Sequence, residues 1–201
     1  METASIAQNQ QLGFATSSKD THLGGNIQYG DPYSFAPKTL EYLTRRYAIR
    51  SAVDLGSGEG HQASLLSALG VCTIAVDGLP ENVQNAVHPT VLHDLTITPF
   101  IANVDAVFCC EVVEHIEERY IDNLLASLLC GRILIMTHAS PGQHGHHHVN
   151  EQPAEYWISR IGSRGFTWSM TETANLHKVA QNDVLGSNWY GHSGLVFFRN
   201  R

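Results

Sequence analysis

Between Val53 and Gly60 the chain reads Val-Asp-Leu-Gly-Ser-Gly-Glu-Gly, a short apolar run closed by glycines at alternate positions. A helical pattern, Gln62 to Leu69, follows at once. Strand, glycine turn and helix start, in that order, let a backbone come very close to a bound ligand. Glycine turns sharply there and leaves no Cβ in the way. The spacing is G-x-G-x-G, and His61 stands where a dinucleotide-binding fingerprint would place its third glycine. That departure argues against a nicotinamide dinucleotide as the ligand.

A chain of 201 residues is expected to form one domain with a single large core, and its 15% charged content is that of a globular protein. The boundaries read as a mobile tail over residues 1–22 and one domain over 23–201. The formal charge of −7, with no basic cluster longer than Arg45-Arg46, argues against a protein that grips nucleic-acid phosphates. Cys72, Cys109, Cys110 and Cys130 sit in apolar runs without a C-x-x-C, and are expected to be reduced, buried thiols of a cytoplasmic protein. No apolar run reaches membrane-spanning length, so no membrane partner is expected. Oligomeric state has no signature here.

Strand-like runs at Ala52–Leu55, Cys72–Asp77, Thr90–Asp94, Val104–Cys110 and Arg132–Thr137 alternate with helical patterns. Pro37, Pro80 and Pro153 each open one of the helices. This alternation predicts an α/β fold, a mostly parallel, Rossmann-like doubly wound sheet with helices on both faces. Gly165–Met170 and the terminal Trp189–Arg199 also read as strands. Asp54, Asp77 and Asp94 then lie along one carboxyl edge and line one crevice. Asp77, about 20 residues past the glycine turn, is placed to take hydrogen bonds from ribose hydroxyls. Each acid read alone fits equally well a cap for the helix behind it.

Val53–Gly60, Ala75-Val76-Asp77-Gly78, Leu92-His93-Asp94-Leu95 and Phe108–His115 together resemble the class I S-adenosylmethionine-dependent methyltransferases. The resemblance spans roughly Ser34 to Phe166. It implies a sheet of about seven strands with the last antiparallel, and S-adenosylmethionine as cofactor. It further implies that Gly56, Ser57, Gly58 and Gly60 approach the methionine part, and that Asp77 with Gly78 holds the ribose. Asp94 and Leu95 would face the adenine, and Cys110 would line the same site. Asp54 would order the loop or meet the cofactor's ammonium.

Beyond the cofactor motifs lie Glu111-Val112-Val113-Glu114-His115 and His144-Gly145-His146-His147-His148. On a helical turn Glu111, Glu114 and His115 share a face, and the histidine loop belongs at the same sheet edge. The layout is similar to the small-RNA 2′-O-methyltransferase family, which implies a divalent metal on Glu111, Glu114, His115 and His148. Many small-molecule methyltransferases carry a similar motif without a metal. The stretch His147–Pro153 with Tyr156-Trp157-Ile158 also resembles bacterial and phage-type methyltransferases of mostly unassigned substrate. His115, His147 and His148 are the candidate general bases, since a neutral imidazole suits removal of a proton from the acceptor. Glu111, His144, Tyr29 and Tyr33 are candidate substrate contacts, and Phe35 and Trp157 candidates for an apolar lid. The expected activity is methyl transfer to an O or N atom of a small molecule. Metal-assisted methylation of an RNA end, and a non-catalytic cofactor-binding subunit, are the alternatives.

Overall fold

The structure is a computed structural model that describes residues 13–17, 19–186 and 188–201. Its centre is a seven-stranded sheet built from β3 (Ser51–Leu55), β4 (Cys72–Asp77), β5 (Thr90–Leu92), β6 (Val104–Cys109), β7 (Gly131–Met136), β8 (Phe166–Trp168) and β9 (Leu195–Arg199). The spatial order is β5-β4-β3-β6-β7-β9-β8, and β9 runs antiparallel to both of its neighbours. A separate hairpin pairs β1 (Phe14–Thr16) with β2 (Gly24–Ile27). Of the stretch read as a tail, residues 1–12 lie outside the described residues, whereas Phe14–Thr16 is a strand.

The central strands are mostly apolar because both faces are covered, with Asp105 and Arg132 paired near the starts of β6 and β7. In β6, Val107 and Cys109 face one core while Ala106 and Phe108 face the other. In β7 the same alternation separates Leu134 and Met136 from Ile133 and Ile135. Helices α4 (Ile121–Leu128) and α5 (Ala154–Gly162) close the first face with Leu124, Leu125, Leu128, Trp157 and Ile161. The second face is closed by α1 (Pro37–Arg46), α2 (His61–Ala68), α6 (Met170–Ala180) and α7 (Trp189–Ser193). A short α3 (Pro80–Gln84) follows β4. Among the described residues no helix is long and apolar enough to cross a membrane.

Several expectations are corrected. Trp189–Ser193 is a helix and only Leu195–Arg199 is strand, because Asn188 accepts from Gly191 N and caps a turn before the strand begins. Met170 opens α6 instead of ending β8, with the Ser169 hydroxyl accepting from Glu172 N as its cap. Of the four thiols expected to be buried, only Cys109 is; Cys110 and Cys130 are half-buried, Cys72 is exposed at the start of β4, and all four are free. Trp157 is fully buried under α5 and is core, not lid.

One tertiary contact anchors the N-terminus of α1. Asp183, only 5% exposed, accepts from Thr39 N at 2.7 Å, Thr39 Oγ1 at 2.6 Å and Lys38 N at 3.2 Å. It caps a helix whose own N-cap, Ala36, offers no side-chain acceptor. Asp183→Ala is expected to cost about 1–2 kcal/mol, the value of a lost cap. Thermal melting reads this as a drop of a few degrees, and an unchanged midpoint refutes it.

Candidate active site

A cavity of about 410 Å³ opens at the carboxyl edge of β3, β4 and β6. Its floor is the turn after β3, where Gly56, Gly58 and Gly60 take φ of 71°, 55° and 77°. A Cβ on Gly56 would collide with the methyl groups of Val112, so the turn admits only glycine while Val112 packs on it.

The three acids sit in different surroundings. Asp77 Oδ2 accepts from Gly58 N at 2.8 Å, while Oδ1 accepts from Leu79 N at 2.9 Å and Asn82 Nδ2 at 3.0 Å. It therefore ties the glycine turn to the end of β4, and burial raises its pKa. Asp54 is 2% exposed; Gln62 Nε2 donates to its Oδ1 at 2.6 Å and its Oδ2 has no partner. Burial pushes its pKa up to about 7. Gln62 is held in turn by the hydroxyl of the buried Tyr190, which donates to Gln62 Oε1. Asp94 lies two residues past β5, not at its end. Its Oδ1 accepts from Thr96 N and Thr96 Oγ1, both at 2.8 Å, and its Oδ2 faces His22 Nε2 at 3.0 Å.

His22 lies between β1 and β2, in a hairpin that forms a wall of the cavity where a mobile tail folding over the ligand was expected. Asn26 Oδ1 accepts from Asn82 Nδ2 at 2.9 Å, and Tyr29 N donates to Glu59 Oε2 at 2.9 Å. Gly25 packs between the rings of His115 and His146. The available signal was the Gly24-Gly25 pair, with φ of 96° and 94°.

The opposite half of the cavity is built after β6. Glu111 takes a φ of 54°, a strained conformation for a residue with a Cβ. Buried Thr137 holds it there: its Oγ1 accepts from Glu111 N at 2.8 Å and donates to Glu111 Oε1 at 2.8 Å. Gln143 Nε2 reaches the other oxygen at 3.3 Å. Val113–His115 follows as a 3₁₀ turn, which directs Glu114 inward. Glu114 is wholly buried and neither carboxyl oxygen has a hydrogen-bond partner; burial and the Glu111 carboxylate raise its pKa well above the usual range. The backbone oxygen of Glu114 accepts from Val149 N and Asn150 N, each at 3.0 Å, which docks the histidine loop here. His148 Nδ1 meets Glu151 Oε1 at 3.0 Å, leaving Nε2 as the free ring nitrogen. Burial and the neighbouring imidazoles of His148 and His146 push the His115 pKa down to about 4.

Glu114, His115 and His148 offer ligand atoms within 4.8 Å of one another, whereas the Glu111 carboxylate turns toward Thr137 and Gln143. Asp54, Gly56, Ser57, Gly58, Asp77, Gly78, Asp94, Leu95 and Cys110 all line the cavity, as do Tyr33, Glu111, His115, His144 and His148. Tyr29, Phe35, Gly60, His147 and Trp157, all candidates from the sequence, do not line it. Gly60 instead starts α2 against His88, Tyr29 is 85% exposed over a neighbouring shallow pocket, and His147 lies off the wall.

A sequence-family model described as a methyltransferase domain matches residues 53–128. No curated protein matches the chain by sequence. Among solved structures, the sugar N-methyltransferase KedS8 from Streptoalloteichus sp ATCC 53650 superposes with a TM-score of 0.63 at 13% identity, over 86% of this chain and 90% of that one. Magnesium protoporphyrin IX methyltransferase from Synechocystis PCC 6803, solved with bound SAM, gives 0.56 at 16% identity over 82% and 79%. The methyltransferase domain of bacterial-CtHen1-CN gives 0.56 at 14% identity over 82% and 97%. At these identities the three structures share the fold.

The Asp54 environment makes a prediction. Its folded pKa of about 7 lies above the ordinary 3.8, so the stability tied to its neutral form is complete below about pH 4 and is lost as pH rises through 7. At about 1.4 kcal/mol per tenfold of proton affinity, the loss is on the order of 4 kcal/mol. Asp54→Asn is expected to melt higher than the parent protein at pH 8 and to converge with it near pH 4. A gap that does not grow with pH would contradict the assignment.

Proposed function

We propose that this chain, whose residues 53–128 match a methyltransferase domain model, is a class I S-adenosylmethionine-dependent methyltransferase that methylates an O or N atom of a small molecule. One observation carries this reading: a single cavity runs from the glycine turn and Asp77 to Glu111 and the histidine loop. Cofactor and acceptor can therefore meet inside it. When bound, S-adenosylmethionine supplies an electrophilic methyl group on a sulfonium, open to in-line displacement. Asp77 and Asn82 offer polar groups to the ribose, and Asp94, set by Thr96 and His22, offers an acceptor to the adenine. Asp54, with one oxygen free, is placed to pair with the ammonium. Glu111 and Tyr33 line the acceptor side.

His148 is the general base in this scheme. Glu151 holds its Nδ1, so Nε2 can take the acceptor's proton, whereas buried His115, with its pKa near 4, is too weak a base at neutral pH. Calorimetry with S-adenosylmethionine tests the premise: Asp77→Ala is expected to weaken binding at least about tenfold, the scale of a lost hydrogen bond to a charged group. Unchanged affinity refutes the ribose assignment. In turnover, His148→Gln is expected to lower kcat about 10²–10⁴-fold with cofactor affinity unchanged. A kcat within a few-fold of the parent's removes the base.

A second reading is favoured by the unpartnered Glu114 oxygens beside His115 and His148. One carboxylate, two imidazoles and a Glu151 behind one of them suit a divalent cation, with Glu114, His115 and His148 as its ligands. Such an ion would act as a Lewis acid on an acceptor hydroxyl, as in methylation of an RNA 2′-OH. Chelator-treated protein should then take up Mn²⁺, seen in its electron paramagnetic resonance signal, and Glu114→Gln should abolish the uptake. No uptake by the parent protein sinks this reading.

A further inference from the structure

Three side chains of the β1–β2 hairpin rest on the cofactor half of the cavity. His22 Nε2 meets Asp94 Oδ2 at 3.0 Å, and Asn26 Oδ1 accepts from Asn82 Nδ2 at 2.9 Å. Asn26 also lies on the glycine turn, its Cβ 3.5 Å from the place that a Cβ on Gly58 would take. Leu23 covers Gly78, with Cδ2 2.5 Å from where a Cβ would stand. Gly78 does not take a left-handed φ, so the backbone has no need of glycine there. The room for Leu23 does.

The hairpin is held by polar contacts and not by the core. Among the described residues, none of its side chains joins either apolar core of the sheet. A two-stranded hairpin is marginally stable by itself, so it keeps its place through contacts of this kind, each of modest strength in water. Where it rejoins the body, Tyr29 takes a φ of 67° and Gly30 one of 101°, and Tyr29 N donates to Glu59 Oε2 at 2.9 Å. A left-handed φ costs energy in a residue with a Cβ, so this last anchor sits on a strained kink. A segment with few apolar contacts and a strained pivot opens at lower cost than the sheet beneath it.

We propose that the hairpin is the gate of the cofactor site: His22, Leu23 and Asn26 close over the adenosine of the bound cofactor, and cofactor and product exchange when the hairpin lifts about Tyr29 and Gly30. This rests on the cofactor reading above. A ligand held by Asp77 and Asp94 lies beneath these three side chains, because they touch Asp94, the Asn82 that donates to Asp77, and the Gly78 that follows it. Gly25, against the rings of His115 and His146, carries the same cover to the acceptor half. Closure therefore shuts one volume around both reactants and excludes water from it, and opening sets the pace of exchange.

Asn26→Ala separates a gate from a simple contact. Asn82 keeps its bond to Asp77 at 3.0 Å, so the ribose acid stays supported. Loss of a latch speeds entry as well as exit, whereas loss of a contact to the ligand speeds exit alone. Surface plasmon resonance with S-adenosylhomocysteine is expected to show kon and koff both raised about three- to tenfold, the scale of one hydrogen bond, with Kd changed by less than about threefold. Amide hydrogen exchange in the parent protein gives a second readout. The N–H groups of Leu23, Gln28 and Tyr29, bonded to Asp20 O, Gly13 O and Glu59 Oε2, are expected to exchange at least about tenfold more slowly once S-adenosylhomocysteine saturates the site. An unchanged kon in Asn26→Ala, or hairpin amides indifferent to the ligand, overturns the gate and leaves the cofactor reading standing. No binding of S-adenosylhomocysteine by the parent protein removes both.

Discussion

Gly56 N and Ser57 N both donate to the Val76 carbonyl, at 2.8 and 2.9 Å, so the turn after β3 is bonded to the end of β4. Gly58 N adds a third bond to the same strand through the Asp77 carboxylate. Once those bonds form, the start of α2, the position of Asp54 and the seat of Val112 all follow. None of this is possible with a Cβ at Gly56, because Val112 occupies that space. The turn thus joins three neighbouring strands at their carboxyl ends, and the cavity is the hollow they leave. A ligand bound there would find the backbone already in place, so little ordering entropy is charged to binding.

The same edge concentrates negative charge, and the fold tolerates it by giving each acid a different fate. Asp77 spends its oxygens on backbone amides and an asparagine, Asp94 on Thr96 and His22, while Asp54 keeps one oxygen bare. Burial raises the pKa of both Glu111 and Glu114, and the neighbouring Glu111 carboxylate raises that of Glu114 further. Local strain at Glu111 is held by two hydrogen bonds to one buried threonine, which marks its orientation as something the surrounding structure enforces.

The parts of this arrangement that were legible in the sequence are those written in local patterns. Runs such as Val104–Cys109, apolar except for Asp105 near its start, announced strands covered on both sides, and the glycine spacing announced the turn. What escaped was set by contacts distant in sequence. Asp183 caps a helix 144 residues away, and the β1–β2 hairpin region is set against the cavity by Asn26 with Asn82 and Tyr29 with Glu59. The run from Trp189 to Arg199 is apolar enough to read as one strand, yet an asparagine cap makes its first half a helix and brings Trp189 to the cavity wall. His22 carries no local pattern at all, and only the hairpin brings it to Asp94.

The histidines show why residue type alone leaves the chemistry open. Read from the chain, His115, His147 and His148 are three equivalent imidazoles at a reactive edge. In the fold they diverge, because proton affinity is a property of surroundings. His115 is buried against two other imidazoles and stays neutral down to about pH 4, so it can donate a lone pair to a metal but cannot usefully hold a proton at neutral pH. His147 lies off the cavity wall. His148 alone combines access to the cavity with a carboxylate on its far nitrogen, the arrangement that fixes a tautomer and orients the ring. Base and metal readings therefore compete for one atom, His148 Nε2. An ion on that nitrogen would remove the base, and a proton-accepting role requires the Glu114 group to stay free of metal.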